Sequence, residues 1–131
     1  MCVDFYPTLL EIASAKGRPE HKLDGTSFWS LAVNDPKPAS SRAPLYWHFP
    51  GYLEGRGELG VWRTTPGGAI RFGEFKLIEF FETGGLELYN LAEDIGEQKN
   101  LARAMPGKTR DLHEQLKAWR EETNAPMPSM K

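Results

Sequence analysis

The chain has 131 residues, 40% of them apolar and 26% charged, with a formal net charge of −2. That balance supports one modest globular core and excludes a disordered chain; the lack of a broad basic field argues against a nucleic-acid partner. No apolar run approaches the roughly 20 residues of a bilayer-spanning helix, so no membrane partner is expected.

Asp4 and Glu11 interrupt the first apolar stretch, so that stretch does not read as a signal peptide, and the compartment stays open. It reads instead as the interior of a longer protein. Cys2 is the only cysteine, which excludes an internal disulfide and a cysteine zinc cluster. Asp4 is placed to cap a helix over residues 5–15, with Pro7 in the first turn and Gly17 at the stop. Phe5, Leu9, Ile12 and Ala13 give that helix one apolar face, which needs something to pack on. Residues 18–43 carry Pro19, Pro36 and Pro38 and read as a surface connector. A single helical turn is expected over residues 27–32, pinned by Phe28, Trp29 and Leu31.

Four short strands follow, at Leu45–Phe49 and at residues 69–72, 75–81 and 86–91. Gly73-Glu74 and Thr83-Gly84-Gly85 fit tight turns, so the last three strands form an antiparallel meander. Leu77 and Ile78 are adjacent and both apolar, which predicts either a bulge or burial on both faces. Phe75, Leu77, Ile78, Phe80, Phe81, Leu88 and Leu91 are the expected core. A C-terminal helix is predicted over residues 108–123. Leu112, Leu116 and Trp119 form its apolar stripe, with Asp111, Glu114, Lys117 and Arg120 away from it. The fold class is α+β: a small antiparallel sheet of about four strands, a C-terminal helix on one face, and an N-terminal helix. Two parts are expected, residues 1–43 and 44–131.

Several motifs then occur in a telling order. They are Val3-Asp4-Phe5-Tyr6-Pro7-Thr8-Leu9-Leu10, Leu23-Asp24-Gly25-Thr26-Ser27 and Pro44-Leu45-Tyr46-Trp47-His48-Phe49-Pro50. Ala69-Ile70-Arg71, Phe75-Lys76-Leu77-Ile78 and Leu86-Glu87-Leu88-Tyr89-Asn90-Leu91 come next, and then Asp94-Ile95-Gly96-Glu97-Gln98-Lys99-Asn100-Leu101. Over residues 3–123 the chain resembles the C-terminal portion of sulfatases, arylsulfatase-like enzymes of the alkaline-phosphatase superfamily. The resemblance implies an N-terminal catalytic domain that binds calcium through Asp and Asn and carries a formylglycine made within a "C/S-x-P-x-R" motif. That motif is absent here: Cys2 is followed by Val3-Asp4-Phe5-Tyr6, and Ser27, Ser30, Ser40, Ser41 and Ser129 do not fit it. Calcium and formylglycine are therefore expected only in the missing N-terminal domain, with no cofactor and no catalytic residue in this chain. Full-length relatives of this kind are commonly periplasmic or secreted.

What the resemblance leaves to this chain is packing on the core and shaping the pocket for a sulfate ester. His48, at a strand end, reads either as a packed histidine or as a group reaching the substrate cleft. Arg71 reads either as a solvated or salt-bridged strand residue or as a partner for an anionic substrate or for the missing domain. Tyr52, Arg56 and Arg63 lie in a segment, residues 51–68, with six glycines; it reads as a flexible loop or as a substrate-facing lid. Glu93, Asp94 and Glu97 form an acidic turn without the ligand spacing of a calcium loop; Asp94 is expected to hold backbone donors there and Asn100 to cap the next turn. Another reading is a carbohydrate-binding or protein-interaction module presenting Tyr46, Trp47, Tyr52 and Trp62. Without the catalytic domain, self-association is expected through the N-terminal helix or a sheet edge.

Overall fold

The structure is a computed structural model that describes residues 1–17, 20, 23–34, 43–53 and 64–128. Arg56, Trp62 and Arg63 lie outside the described residues. The chain divides into two compact units, Met1–Arg42 and Ala43–Lys131.

In the first unit a 3-10 turn, Cys2–Asp4, runs into α1 (Phe5–Ile12), and α2 (Trp29–Ala32) follows. The expected helix to residue 15 stops at Ile12. Ser14 turns left-handed with φ 50, while its N–H returns to Glu11 O and that of Ala15 to Leu10 O. Those two bonds satisfy carbonyls of the last turn in a Schellman arrangement, even though the residue taking the positive φ is not glycine.

Asp4 does not cap α1 with its side chain. Its carboxylate is buried and accepts from the Thr26 N–H at 3.0 Å and from the Met1 amino group at 2.5 Å. Thr8 Oγ1 donates to Asp4 O at 2.7 Å and accepts from Phe28 N at 3.1 Å; the Ser27 hydroxyl donates to Glu11. Gly25 lies against this clamp so closely that a Cβ there would sit 2.0 Å from Val3 O. The Leu23-Asp24-Gly25-Thr26-Ser27 stretch is thus held to α1 by polar groups and one close backbone approach. The aromatic pin among the described residues is an edge-to-face pair, Phe5 with Phe28, 5.5 Å between centroids. Phe5, Leu9 and Ile12 are exposed.

The second unit holds β1 (Leu45–Phe49), β2 (Gly67–Phe72), β3 (Phe75–Phe80), β4 (Gly85–Asn90) and α3 (Pro106–Glu122). The sheet order is β1-β2-β3-β4, each neighbour antiparallel. Gly73 (φ 60) and Gly84 (φ 65) supply the left-handed positions of the two hairpin turns. Helix α3 starts two residues earlier than expected because Pro106 occupies its first turn, where a missing N–H costs nothing.

Strand β3 pairs residue for residue with both neighbours from Phe75 to Phe80, so there is no bulge in it. Leu77 and Ile78 therefore point to opposite faces. Leu77 joins Ile70, Leu88, Leu112 and Leu116 in the buried core beneath α3. Of the seven expected core residues only Leu77 and Leu88 belong to this fully buried cluster. Phe75 packs at its margin, while Ile78 and Phe80 stand half-buried on the far face. Phe81 and Leu91 are also only half-buried. The stripe on α3 is broader than expected, since Arg120 is buried rather than turned to solvent. Trp119 stacks flat on Tyr46, 4.8 Å between centroids.

After β4 the acidic turn folds back on the sheet. Both Asp94 oxygens accept backbone N–H groups, from Gln98 at 3.1 Å and Lys99 at 2.8 Å. Asn100 Oδ1 accepts from Ala102 N at 2.9 Å, as a cap would, and also from Leu88 N at 3.1 Å. Leu101 N donates to Leu88 O at 2.7 Å, so one side chain and one peptide occupy the outer edge of β4.

Candidate functional site

Side-chain alternation gives the sheet two unlike faces. Under α3 the cross-strand rows read Tyr46, Ile70, Leu77, Leu88 and His48, Gly68, Glu79, Leu86. The helix-free face reads Trp47, Ala69, Ile78, Glu87 in its middle row, with Leu45, Arg71, Lys76, Tyr89 and Phe49, Gly67, Phe80, Gly85 on either side. A concavity of about 630 Å³ lies on this second face, lined by Trp47, Phe49, Ala69, Arg71, Ile78 and Phe80 among others.

The two ends of that face differ. Near β4 it is closed by the acidic turn: Lys76 Nζ lies 2.6 Å from Glu97 Oε1, and Tyr89 is buried. Burial, then the Glu87 hydrogen bond at 2.9 Å and the nearby Glu97 and Asp94 charges, push the Tyr89 hydroxyl up to about 12. Near β1 and β2 the face is open. Trp47 is 41% exposed and Phe49 39%; Arg71 is exposed and has no salt bridge among the described residues.

Of the four residues singled out from sequence, Arg71 stands on this open face and His48 also contributes to the lining of the concavity. The His48 ring belongs to the α3 side. Its Nε2 lies 2.7 Å from Pro126 O, its centroid is 5.4 Å from that of Phe81, and Nδ1 is buried without a partner. Tyr52 lies apart from the concavity and donates its hydroxyl proton to Glu82, which raises its pKa; desolvation and the Glu82 charge act the same way. Arg63 lies outside the described residues.

Sequence reading missed a buried ionic cluster between the sheet and α3. Glu79 takes an inward position on β3, where Arg120 Nη1 reaches Oε2 at 2.5 Å and His113 Nε2 stands 2.9 Å from Oε1. Arg120 also lies over the Phe81 ring at 5.2 Å. The signal was present: Glu79 is in phase with Leu77, and Arg120 falls two turns after Leu112 and one after Leu116 on α3.

Burial pushes the Glu79 carboxyl up, but the hydrogen bonds and charges of Arg120 and His113 outweigh it and hold the group below 4.5. Backbone N–H groups of Gln98 and Lys99 likewise hold Asp94 below 3.8. A carboxylate whose pKa is lower folded than unfolded stabilises the fold above its unfolded value and loses that contribution as pH falls. The expected result is a melting temperature that declines as pH drops below about 4.5, with a shallower decline in Glu79→Gln. Thermal denaturation followed by circular dichroism from pH 7 to 3 tests this; an unchanged slope in the variant would remove Glu79 from the account.

No group of three or more His, Cys, Asp or Glu side chains is placed to hold a metal among the described residues. Nor is any described helix long and apolar enough to cross a membrane.

Comparison with known proteins gives consistent results. Residues 1–123 match the family model described as N-sulphoglucosamine sulphohydrolase, C-terminal. A sulfatase of Formosa agariphila is 35% identical over 136 aligned residues, covering 95% of this chain but 23% of its own length. Among solved structures, BT4656 in complex with its substrate D-glucosamine-2-N,6-O-disulfate superposes with a TM-score of 0.65 at 24% identity, over 98% of this chain and 25% of that one. Ps i-CgsB in complex with k-i-k-neocarrahexaose superposes with a TM-score of 0.63 at 24% identity, over 88% of this chain and 23% of that one. These two share the fold. The chain spans less than a quarter of the length of its curated relative. With its sheet, its C-terminal helix and its matched residues 1–123, the chain belongs to the N-sulphoglucosamine sulphohydrolase C-terminal family, a C-terminal domain of sulfatases.

Proposed function

We propose that this chain serves as the non-catalytic C-terminal subdomain of a sulfuric ester hydrolase, packing on a catalytic portion and helping to shape its substrate pocket. The observation that carries the reading is the match to a C-terminal family model over residues 1–123 by a chain that covers only 23% of its sulfatase relative. Formylglycine and calcium belong, on the family resemblance, to the portion of a sulfatase that this chain does not match. The residues here do not fit that group: Cys2 lacks the "C/S-x-P-x-R" surroundings, and no cluster of three acidic or histidine ligands is assembled among the described residues.

Arg71 is the best-supported substrate-facing residue, since it is exposed, fixed by a strand and without a salt bridge among the described residues. His48, Tyr52 and Arg63 remain proposed at the pocket, with His48 oriented by its contact to the Pro126 carbonyl. The molecules bound by the two solved neighbours, the disulfated glucosamine that is the substrate of BT4656 and the neocarrahexaose in complex with Ps i-CgsB, support a sulfated carbohydrate as the class. The stand-alone carbohydrate module loses part of its platform, because Tyr46 is stacked against Trp119. Purified chain incubated with a chromogenic aryl sulfate, with and without calcium, is expected to show no turnover above buffer. Turnover that persists after Cys2→Ala would overturn the assignment of the chemistry to another portion.

A further inference from the structure

Strand β1 is an edge of the sheet: it pairs with β2 on one side and with no other strand among the described residues. One row of its backbone groups therefore lacks a ladder partner, and such a strand opens at lower cost than a central one. Two side chains on its inner face tie it to the helix layer. Tyr46 stacks on Trp119 of α3, 4.8 Å between centroids. His48 reaches past the end of α3 to the segment that follows it, where Nε2 lies 2.7 Å from Pro126 O across 78 positions. That segment is aimed at β1 by the helix end. Asn124 turns left-handed with φ 50, and the Ala125 N–H returns to Arg120 O at 3.0 Å. Beyond Ala125, the hydrogen bond to His48 is the segment's one such tie to the sheet among the described residues, and Met127 is exposed.

The histidine is an odd choice for packing alone. A carbonyl oxygen only accepts, so His48 donates from Nε2, and Nδ1 of the neutral ring is left as a bare acceptor. Nδ1 is buried without a partner among the described residues, against the Phe81 ring that also carries Arg120. Gly68, next to His48 in the register, makes room for this group: a Cβ there would stand 3.3 Å from both Arg120 Nη1 and Phe81. A buried acceptor with no donor costs as much as one hydrogen bond contributes, so a ring needed only for its volume would be apolar. The atom that repays the imidazole is Nε2. We propose that residues 125–128 form a strap which His48 clasps, and that this clasp holds edge strand β1 closed against β2 and α3. Trp47 and Phe49 flank His48 and point to the opposite face, so the strap also fixes the β1 side of the concavity there. Every contact in the clasp lies within the second unit and is independent of the sulfatase reading.

Native-state amide hydrogen exchange, followed by NMR, tests the strap. His48→Phe keeps a ring beside Phe81 and removes the donor; a chain ending at Asn124 removes the strap; a third variant combines the two. Each single change should speed exchange of the β1 amides bonded to β2 about 10-fold, the effect of one net hydrogen bond, while β3 and β4 amides keep their wild-type rates. The combination should exchange no faster than the shortened chain alone, because both changes remove the same contact. The His48 ring N–H should give a slowly exchanging resonance in the full chain and lose it in the chain ending at Asn124. Unchanged β1 exchange in the shortened chain would show that the segment restrains nothing and would overturn the proposal. Equal acceleration in all four strands would also overturn it, since the segment would then support the whole unit and not β1. Additive effects of the two changes would mean that His48 acts on β1 without the segment, with the same consequence. Should His48→Phe not fold, the shortened chain and the ring resonance decide the matter by themselves.

Discussion

Replacing Arg120 by alanine is expected to destabilise the second unit by about 3–5 kcal/mol, enough to leave much of the population unfolded at 37 °C. The size of the effect comes from what is left behind. Glu79 is 9% exposed on β3, and its charge is matched by Arg120 at 2.5 Å, with His113 Nε2 standing 2.9 Å from its other oxygen. Without the guanidinium, a buried carboxylate keeps only the imidazole, and it must either take up a proton or draw water under α3. Arg120→Ala also removes the alkyl stem that lies against Phe81. Removing both partners should cost far less: Glu79→Leu with Arg120→Met leaves no unpaired charge and fills a similar volume. Urea denaturation of the wild type, the single variant and the double variant measures the difference. A single variant within about 1 kcal/mol of wild type would show that the pair is solvated and contributes no more than a surface ion pair.

The second large effect is expected at Leu77. Leu77→Ala should cost about 2–5 kcal/mol, because the side chain is fully buried among Ile70, Leu88, Leu112 and Leu116 and the strands on both sides cannot collapse into the cavity. A domain of this size has about 5–13 kcal/mol in total, so one cavity removes a large share. Ile78→Ala, one residue further on, should cost less than half as much. That side chain is half-buried on the helix-free face and already borders the 630 Å³ concavity. The two variants side by side, melted by circular dichroism, read out the inequality of the two faces directly. Equal losses would mean that the helix-free face is as well packed as the core.

The elements were largely legible because they rest on local rules. Period-two patterning, Gly73 and Gly84 at positive φ, and the Leu112–Leu116–Trp119 spacing report the meander and α3 without any knowledge of what they pack against. Their ends were less legible. The stop of α1 at Ile12 depends on Ser14 entering the left-handed region, a choice a serine makes only when the following contacts reward it. The lining of the concavity was legible in part. Arg71 stands on the open face, whereas Tyr52 is held by Glu82 away from the concavity, a partnership across 30 positions that no spacing rule reports.

Sequence by itself determined the α+β class, the strand order implied by short turns, the family resemblance and the presence of two apolar neighbours in β3. It also determined that the formylglycine motif is absent, since a motif is a matter of residue order alone. Tertiary structure decided which of two adjacent apolar residues enters the core. It also decided that Asp4 serves the Thr26 peptide and not a helix cap, that Glu79 and Arg120 meet beneath α3, and that Arg71 is left without a salt bridge among the described residues. The reason is physical. Periodicity records which residues share a face, but the burial of a face, and the charge it must then neutralise, depend on the element that lands on it from far along the chain.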